Sequence, residues 1–181
     1  RYVGKTAILG LGYGMGHQKF QDTLKSGSPS VDVSDSTAAQ IVTQYRSTYP
    51  NIPMLWSRAK DLLFDMLNQR TTTYGPLSIE KSRVVLPNEM SLSYPELQYI
   101  GSEFLYSTSK GKIRTYGPRL VENIIQALAR VVITEQMLEI QKMPQCNVVM
   151  QVHDEIIAIG SEAEQNDTME EINEIGYHAE H

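Results

Sequence analysis

Between Asn147 and Ile159 the chain reads Asn-Val-Val-Met-Gln-Val-His-Asp-Glu-Ile-Ile-Ala-Ile, two runs rich in β-branched residues around a charged tripeptide. β-branched side chains favour extended backbone. A polar centre of three residues leaves room only for a strand, a tight turn and a returning strand. Two apolar strands would hold His153, Asp154 and Glu155 at the turn with little freedom, which suits a site that must position an ion closely. Read alone, the same tripeptide is also what an exposed polar hairpin turn looks like.

A second pattern opens the chain. Arg1, Lys5, Leu9 and Tyr13 recur every four residues, and on a helix each step advances by about 40°, so the four form one slowly winding stripe. Two cations one turn apart suit a polyphosphate, Arg offering a planar fork of donors and Lys a mobile point charge. A ring two turns further on could lie beside the base or sugar of a nucleotide. The bland alternative is an amphipathic helix with two solvated cations and a glycine-rich C-terminal cap. The glycines at 10, 12, 14 and 16 also invite a dinucleotide-loop reading, as in a nucleotide-binding oxidoreductase. However, G-x-G-x-x-G requires glycine where Met15 stands, and no strand run precedes it.

Arg1-x3-Lys5-x7-Tyr13-Gly14, with His153-Asp154-Glu155 following in order between apolar strands, resembles the family A DNA polymerases, the polymerase I-like group that includes many bacteriophage replicases. The segment Tyr45-Arg46-x-x-Tyr49-Pro50-x-Ile52 is similar to one that follows the fingers motif in phage members. The resemblance implies an α+β fold, the C-terminal part of a right-hand polymerase. Residues 1–70 would be helical fingers, 71–160 a palm with antiparallel sheet and catalytic hairpin, and 161–181 an acidic C-terminal segment. It implies that Arg1, Lys5, Leu9 and Tyr13 bind the incoming deoxynucleoside triphosphate. It makes Asp154 a metal ligand with Glu155 as a supporting carboxylate, and brings Gly14, Arg119, Gln126, Gln151 and His153 to the DNA. The implied reaction adds deoxynucleotides to a primer 3′-hydroxyl with two Mg²⁺ ions about 3.5–4 Å apart, Lys5 being placed to protonate the departing pyrophosphate. Primer–template DNA, deoxynucleoside triphosphates and replisome accessory factors are the implied partners, in viral DNA replication in the cytoplasm of an infected host cell.

The sequence departs from the family's pattern in two places. The Asn and Gln of the family's palm helix are separated by three residues, whereas Asn123 and Gln126 are separated by two, so aligning Gln126 puts Glu122 at the Asn position. Leu9 stands where relatives often carry Phe or Tyr against the sugar, so Leu9→Tyr is expected to raise incorporation of dideoxynucleotides. The family's other catalytic Asp comes from a motif upstream of the fingers. Because the chain begins at Arg1, the expectation is that the gene product starts further upstream and that these residues alone do not extend a primer.

The net charge of −5 speaks against a nucleic-acid partner until it is mapped. All 16 Lys and Arg lie between Arg1 and Lys142 against 12 acids, for +4, while from Cys146 onward nine acids stand without Lys or Arg, for −9. A basic body with an acidic end keeps nucleic acid possible, because the local patch decides. The single Cys146 excludes a disulfide framework and any cysteine-built zinc site. No apolar run reaches the roughly 18 residues of a membrane span.

Helical spacing predicts a short helix from His17 to Leu24, one over about 37–47 capped by Asp35 or Ser36, and one over about 53–69 that carries Trp56. The last two read as packing. Strands are expected at Arg83–Leu86 and Met90–Tyr94 around a Pro87-Asn88 turn, with a third near Glu103–Tyr106 in the same small sheet and a turn over Ser107–Gly111. Relatives usually carry Asn-Gly at the first of these turns; here Glu89 follows Asn88. A helix is expected over about 120–142, with Leu120, Ile124, Leu128, Val131, Val132 and Ile133 on its core face and Gln126 among them. A second functional class fits the same residues: a non-catalytic nucleic-acid-binding remnant using Arg1, Lys5, Lys19, Arg114 and Arg119 on phosphates.

Overall fold

The computed structural model describes residues 1–160 together with 169, 170, 172 and 175, so the acidic segment expected over 161–181 lies largely outside the described residues. The chain divides into two compact units, Arg1–Ile124 and Ile125–His181. It mixes helices with antiparallel sheets, as an α+β fold does.

The first unit begins with four helices, α1 (Tyr2–Leu11), α2 (His17–Ser26), α3 (Asp35–Thr48) and α4 (Asn51–Leu67). The first three pack around Leu11, Phe20, Leu24, Ala38, Val42 and Tyr45, with Tyr2, Val3 and Ala7 of α1 against that core. Burying each large apolar side chain stabilises by about 1.5–3 kcal/mol, which is what holds three short helices together. The cap of α3 is Ser34, whose hydroxyl accepts the Thr37 N–H at 3.1 Å. The sequence placed that cap one or two residues later. Asp35 instead occupies the first turn, where its charge complements the helix dipole. Pro50 supplies no N–H to continue α3, and α4 starts at once from it.

Seven short strands follow: β1 (Thr72–Tyr74), β2 (Leu77–Glu80), β3 (Arg83–Val85), β4 (Ser91–Ser93), β5 (Gln98–Ile100), β6 (Glu103–Thr108) and β7 (Gly111–Thr115). They form two antiparallel sheets, β1-β2-β3-β4 and β5-β6-β7, not the one small sheet expected. The break falls at Tyr94-Pro95-Glu96. Pro95 cannot donate to a ladder, and Glu96 takes φ +53°. Strand β6 runs two residues into the expected Ser107–Gly111 turn. On β2 the buried Leu77 and Ile79 alternate with half-buried Ser78 and Glu80, and this strand contacts α4. Phe64 of α4 meets Phe104 and Tyr99 edge-on, at centroid separations of 4.8 and 5.1 Å.

Helix α5 (Gly117–Gln141) starts three residues before the position expected from spacing. The Tyr116 carbonyl accepts the Leu120 N–H at 2.9 Å, and Pro118 in the first turn brings a helical φ and no donor to satisfy. Gly117 is buried, and a Cβ there would overlap the Trp56 carbonyl of α4, so only glycine lets the two backbones come this close.

The second unit holds the rest of α5 with β8 (Cys146–Val152) and β9 (Glu155–Gly160), an antiparallel pair. Ile140 and Cys146 are buried in it, and the Gln141 side-chain oxygen accepts the Val148 N–H at 3.0 Å. The register shifts between Val148 and Met150, which leaves Val149 as the extra residue of a β-bulge. On the core stripe predicted for α5, Leu120 and Ile124 are buried, whereas Val132 is 42% exposed. Four described residues beyond 160, namely Met169, Glu170, Ile172 and Ile175, are helical. No helix among the described residues is long and apolar enough to cross a membrane.

Candidate functional site

The opening stripe is exposed along its length. Arg1 caps α1 through its carbonyl, which accepts the Lys5 N–H at 3.0 Å. Arg1 and Lys5 are exposed and form no ion pair with any described residue. Leu9 is 56% exposed and Tyr13 49%. The opposite face of α1, with Tyr2, Val3, Ala7 and Leu11, is the one that enters the core, so the helix leaves its cations and Leu9 to solvent. Ile8 lies exposed beside Leu9, a neighbour the every-fourth-residue reading passes over.

One part of that reading changes. Tyr13 is not helical: α1 ends at Leu11, and Tyr13 stands in the turn that follows. The Gly10 carbonyl accepts the N–H of both Tyr13 and Met15, and the Leu11 carbonyl accepts that of Gly14. Gly14 takes φ +80°, and a Cβ on it would stand 2.7 Å from Pro118 Cγ. Both the backbone conformation and the packing require glycine there. Arg46 ties α3 to this turn through the Met15 carbonyl at 3.4 Å.

His153, Asp154 and Glu155 lie in the second unit. Val152 pairs with Glu155, so β8 and β9 are joined by a two-residue turn of His153 and Asp154. His153 has φ +54° at the first turn position, where a hairpin of this kind prefers glycine. Gln151 donates from its side-chain nitrogen to the His153 carbonyl at 2.9 Å, which pins the turn from within. Asp154 and Glu155 are exposed and enter no ion pair with a described residue. Asp154 also lines a cavity of about 220 Å³ whose other walls include Ile133, Ile140, Ile156 and Ala158. Among the described residues no group of three or more His, Cys, Asp or Glu is placed to hold a metal ion. Two adjacent carboxylates are still a fitting donor set for Mg²⁺, which prefers hard oxygen ligands and keeps several waters.

The remaining site residues lie on α5. Arg119 is exposed in the first unit, and Gln126 is exposed in the second. Asn123 is engaged elsewhere, its side-chain nitrogen donating to the Tyr94 hydroxyl at 3.0 Å. A shallow groove of about 860 Å³, lined by Ala7 and by residues between Ala39 and Tyr49, carries no cation and none of the residues expected to bind nucleotide, DNA or metal.

The chain is similar to the DNA polymerase of Bacillus phage SP02, 26% identical over 174 aligned residues that take in 87% of this chain. It resembles a phage DNA polymerase. Those residues are 26% of the relative, so the chain spans about a quarter of the length of the curated protein it matches. No family model and no solved structure matches the chain. The aligned part of the chain is longer than either compact unit, so the likeness is not confined to one of them.

Sequence reasoning named Arg114 for phosphates in the remnant reading but missed the cluster around it, having set the helix of Trp56 aside as packing. Trp56 and Lys60, one turn apart on α4, line a common cleft with Arg114, Thr115 and Tyr116 at the junction of β7 and α5. The available signal was aromatic and cationic residues interleaved at Trp56-x3-Lys60 and Arg114-x-Tyr116.

Proposed function

We propose that this chain is the C-terminal part of a family A, bacteriophage-type DNA polymerase, contributing the incoming-nucleotide helix of the fingers and the second catalytic carboxylate of the palm. The observation that carries the reading is the turn of β8 and β9. In a chain similar to a phage DNA polymerase, a histidine with left-handed backbone and two carboxylates that form no ion pair with a described residue stand at the tip of an apolar hairpin. Strain of this kind persists where surroundings over-determine it, and functional sites are where it concentrates.

In this reading Arg1 and Lys5 take the triphosphate charge, Leu9 and Tyr13 bound the sugar and base, and Lys5 donates a proton to the leaving pyrophosphate. Gly14, Arg119, Gln126, Gln151 and His153 meet the primer–template. Asp154, with Glu155 beside it, would hold Mg²⁺, with a further carboxylate supplied from a segment of the polymerase outside these residues. When bound there, such ions lower the pKa of the primer hydroxyl and stabilise charge on the pyrophosphate. The partners are primer–template DNA and deoxynucleoside triphosphates, together with replisome accessory factors, in the cytoplasm of a phage-infected cell.

The test is Mg²⁺-dependent primer extension by the complete polymerase with Asp154→Ala in parallel. Loss of one carboxylate of a two-ion site is expected to lower the rate by several orders of magnitude. An Asp154→Ala protein that extends primers like its parent would reduce the hairpin to a surface turn. If neither protein extends primers yet both bind primer–template, the non-catalytic remnant takes its place.

A further inference from the structure

The cleft of Trp56 and Lys60 is a built site that the polymerase reading does not use. It has a volume of about 350 Å³, near the lower end of the ~300–1,000 Å³ of small-ligand sites and suited to one nucleotide unit. Its walls carry the rings of Trp56, Phe104 and Tyr116. Cations accompany two of these rings: the Arg114 guanidinium lies 5.7 Å from the Tyr116 centroid, and that of Arg46 lies 5.9 Å from Trp56. Lys60 is exposed and has no ion-pair partner among the described residues. The acid in the lining, Glu103, is neutralised by Arg114 at 3.0 Å, an arrangement that leaves other guanidinium donors free.

Two further features point to an anion. Gly117 and Pro118, which begin the 25-residue α5, line the cleft, and the first turn of that helix has no acidic residue. A helix N-terminus offers unpaired N–H groups and the positive end of the dipole. Thr115, 1% exposed and also in the lining, has a hydroxyl with no hydrogen-bond partner among the described residues. A buried polar group without a partner is rare enough to call for an explanation, and a ligand is one.

The geometry points to a nucleotide site, with a base against the rings and its phosphate at Lys60, Arg114 and the start of α5, occupied by the single-stranded part of a nucleic-acid template. Aromatic platforms interleaved with cations hold single strands irrespective of sequence. The choice of a strand over a free nucleotide rests on the polymerase reading. Pro118 of the cleft is the residue against which Gly14 packs, so the cleft adjoins the turn that carries Tyr13.

Trp56 is the single tryptophan, so its emission reports on this cleft. The 181-residue chain is titrated at low salt with a short oligothymidylate and, separately, with thymidine 5′-monophosphate. Quenching by the oligonucleotide that weakens as salt rises is expected, with Lys60→Glu binding about tenfold more weakly and Lys81→Glu, outside the lining, unchanged. Thr115→Val is expected to weaken binding while the fold is retained. Equal affinity for the mononucleotide would overturn the assignment to a strand in favour of a free nucleotide. No quenching by either ligand, or quenching indifferent to Lys60→Glu, would overturn the site altogether. The outcome is separable from the polymerase reading: primer extension that depends on Asp154, with a silent Trp56, refutes the cleft alone.

Discussion

The Thr115 hydroxyl can be tested without any ligand. Its oxygen is buried and finds no partner among the described residues, and the residue sits 1% exposed where β7 hands over to α5. Leaving such a group unsatisfied costs about 1–3 kcal/mol of desolvation. Thr115→Val keeps the branched shape and the strand propensity but replaces the hydroxyl by a methyl, whose burial adds roughly 0.8 kcal/mol. After discounting for imperfect fit in a packed site, the free chain should gain about 1–2 kcal/mol. For a protein of this size that corresponds to a rise of roughly 3–6 °C in the unfolding midpoint. Thermal unfolding followed by Trp56 emission reads the first unit directly. Thr115→Ser, which keeps the hydroxyl and loses the methyl, should move the midpoint the other way. A Thr115→Val midpoint that is unchanged or lower would refute the reasoning, since it would mean that the hydroxyl is already satisfied by water.

Three other outcomes are expected. The Tyr94 hydroxyl is raised above its ordinary value of 10.0, first by burial and then by the neighbouring Tyr106, while Asn123 and Arg119 oppose the shift. A raised folded-state pKa contributes stability that is fully present below about pH 10 and lost as pH climbs through the folded-state value, so alkaline unfolding should be steeper in the parent than in Tyr94→Phe. Glu89 and His153 both hold left-handed backbone, at φ +65° and +54°. Glycine at either position should stabilise by about 0.5–1 kcal/mol after the added chain entropy is subtracted. Only His153→Gly should also lower primer extension by the complete polymerase, and equal activity in the two variants would remove the functional reason for the strain. Leu9→Tyr in that polymerase should raise dideoxynucleotide incorporation; unchanged discrimination in a terminator assay would put Leu9 away from the sugar.

The helices were legible because their apolar residues recur at 3.6-residue spacing and Pro or Gly punctuates their ends. The hairpin of β8 and β9 was legible from its two apolar runs. Strands β1, β2, β5 and β7 went unnamed for a different reason. They are three to five residues long, rich in Ser, Thr, Gly and Lys, and several of their turns use residues other than glycine in left-handed conformations, Ser82, Glu96 and Ser102 among them. A reading that looks for Gly and Pro at turns does not see these. Gln126 stands out in the sequence as a polar residue among hydrophobic neighbours, and it is exposed. The exposure of Ile125 (56%) and Val132 (42%) shows that α5 carries apolar residues on its open face as well. Periodicity alone cannot separate two faces that are both apolar.

That open apolar surface recurs at the hairpin. Met150, Val152, Ile157 and Ile159 are between 39% and 63% exposed, and Met150 pairs with Ile157 across the strands. Their alternate neighbours Gln151, Ile156 and Ala158 are half-buried. A two-stranded ribbon with apolar residues on both faces is seldom stable by itself. Among the described residues, the turn is held on one side by Gln151 and by the cavity wall of Ile156 and Ala158, and no described residue is shown covering the other side equally. Carboxylates that must hold an ion within fractions of an ångström need both. The free chain should therefore bind Mg²⁺ weakly at Asp154 even if the complete polymerase binds it well. Isothermal titration of both would show the difference, and equal affinity would mean that the hairpin is already fully organised in these 181 residues.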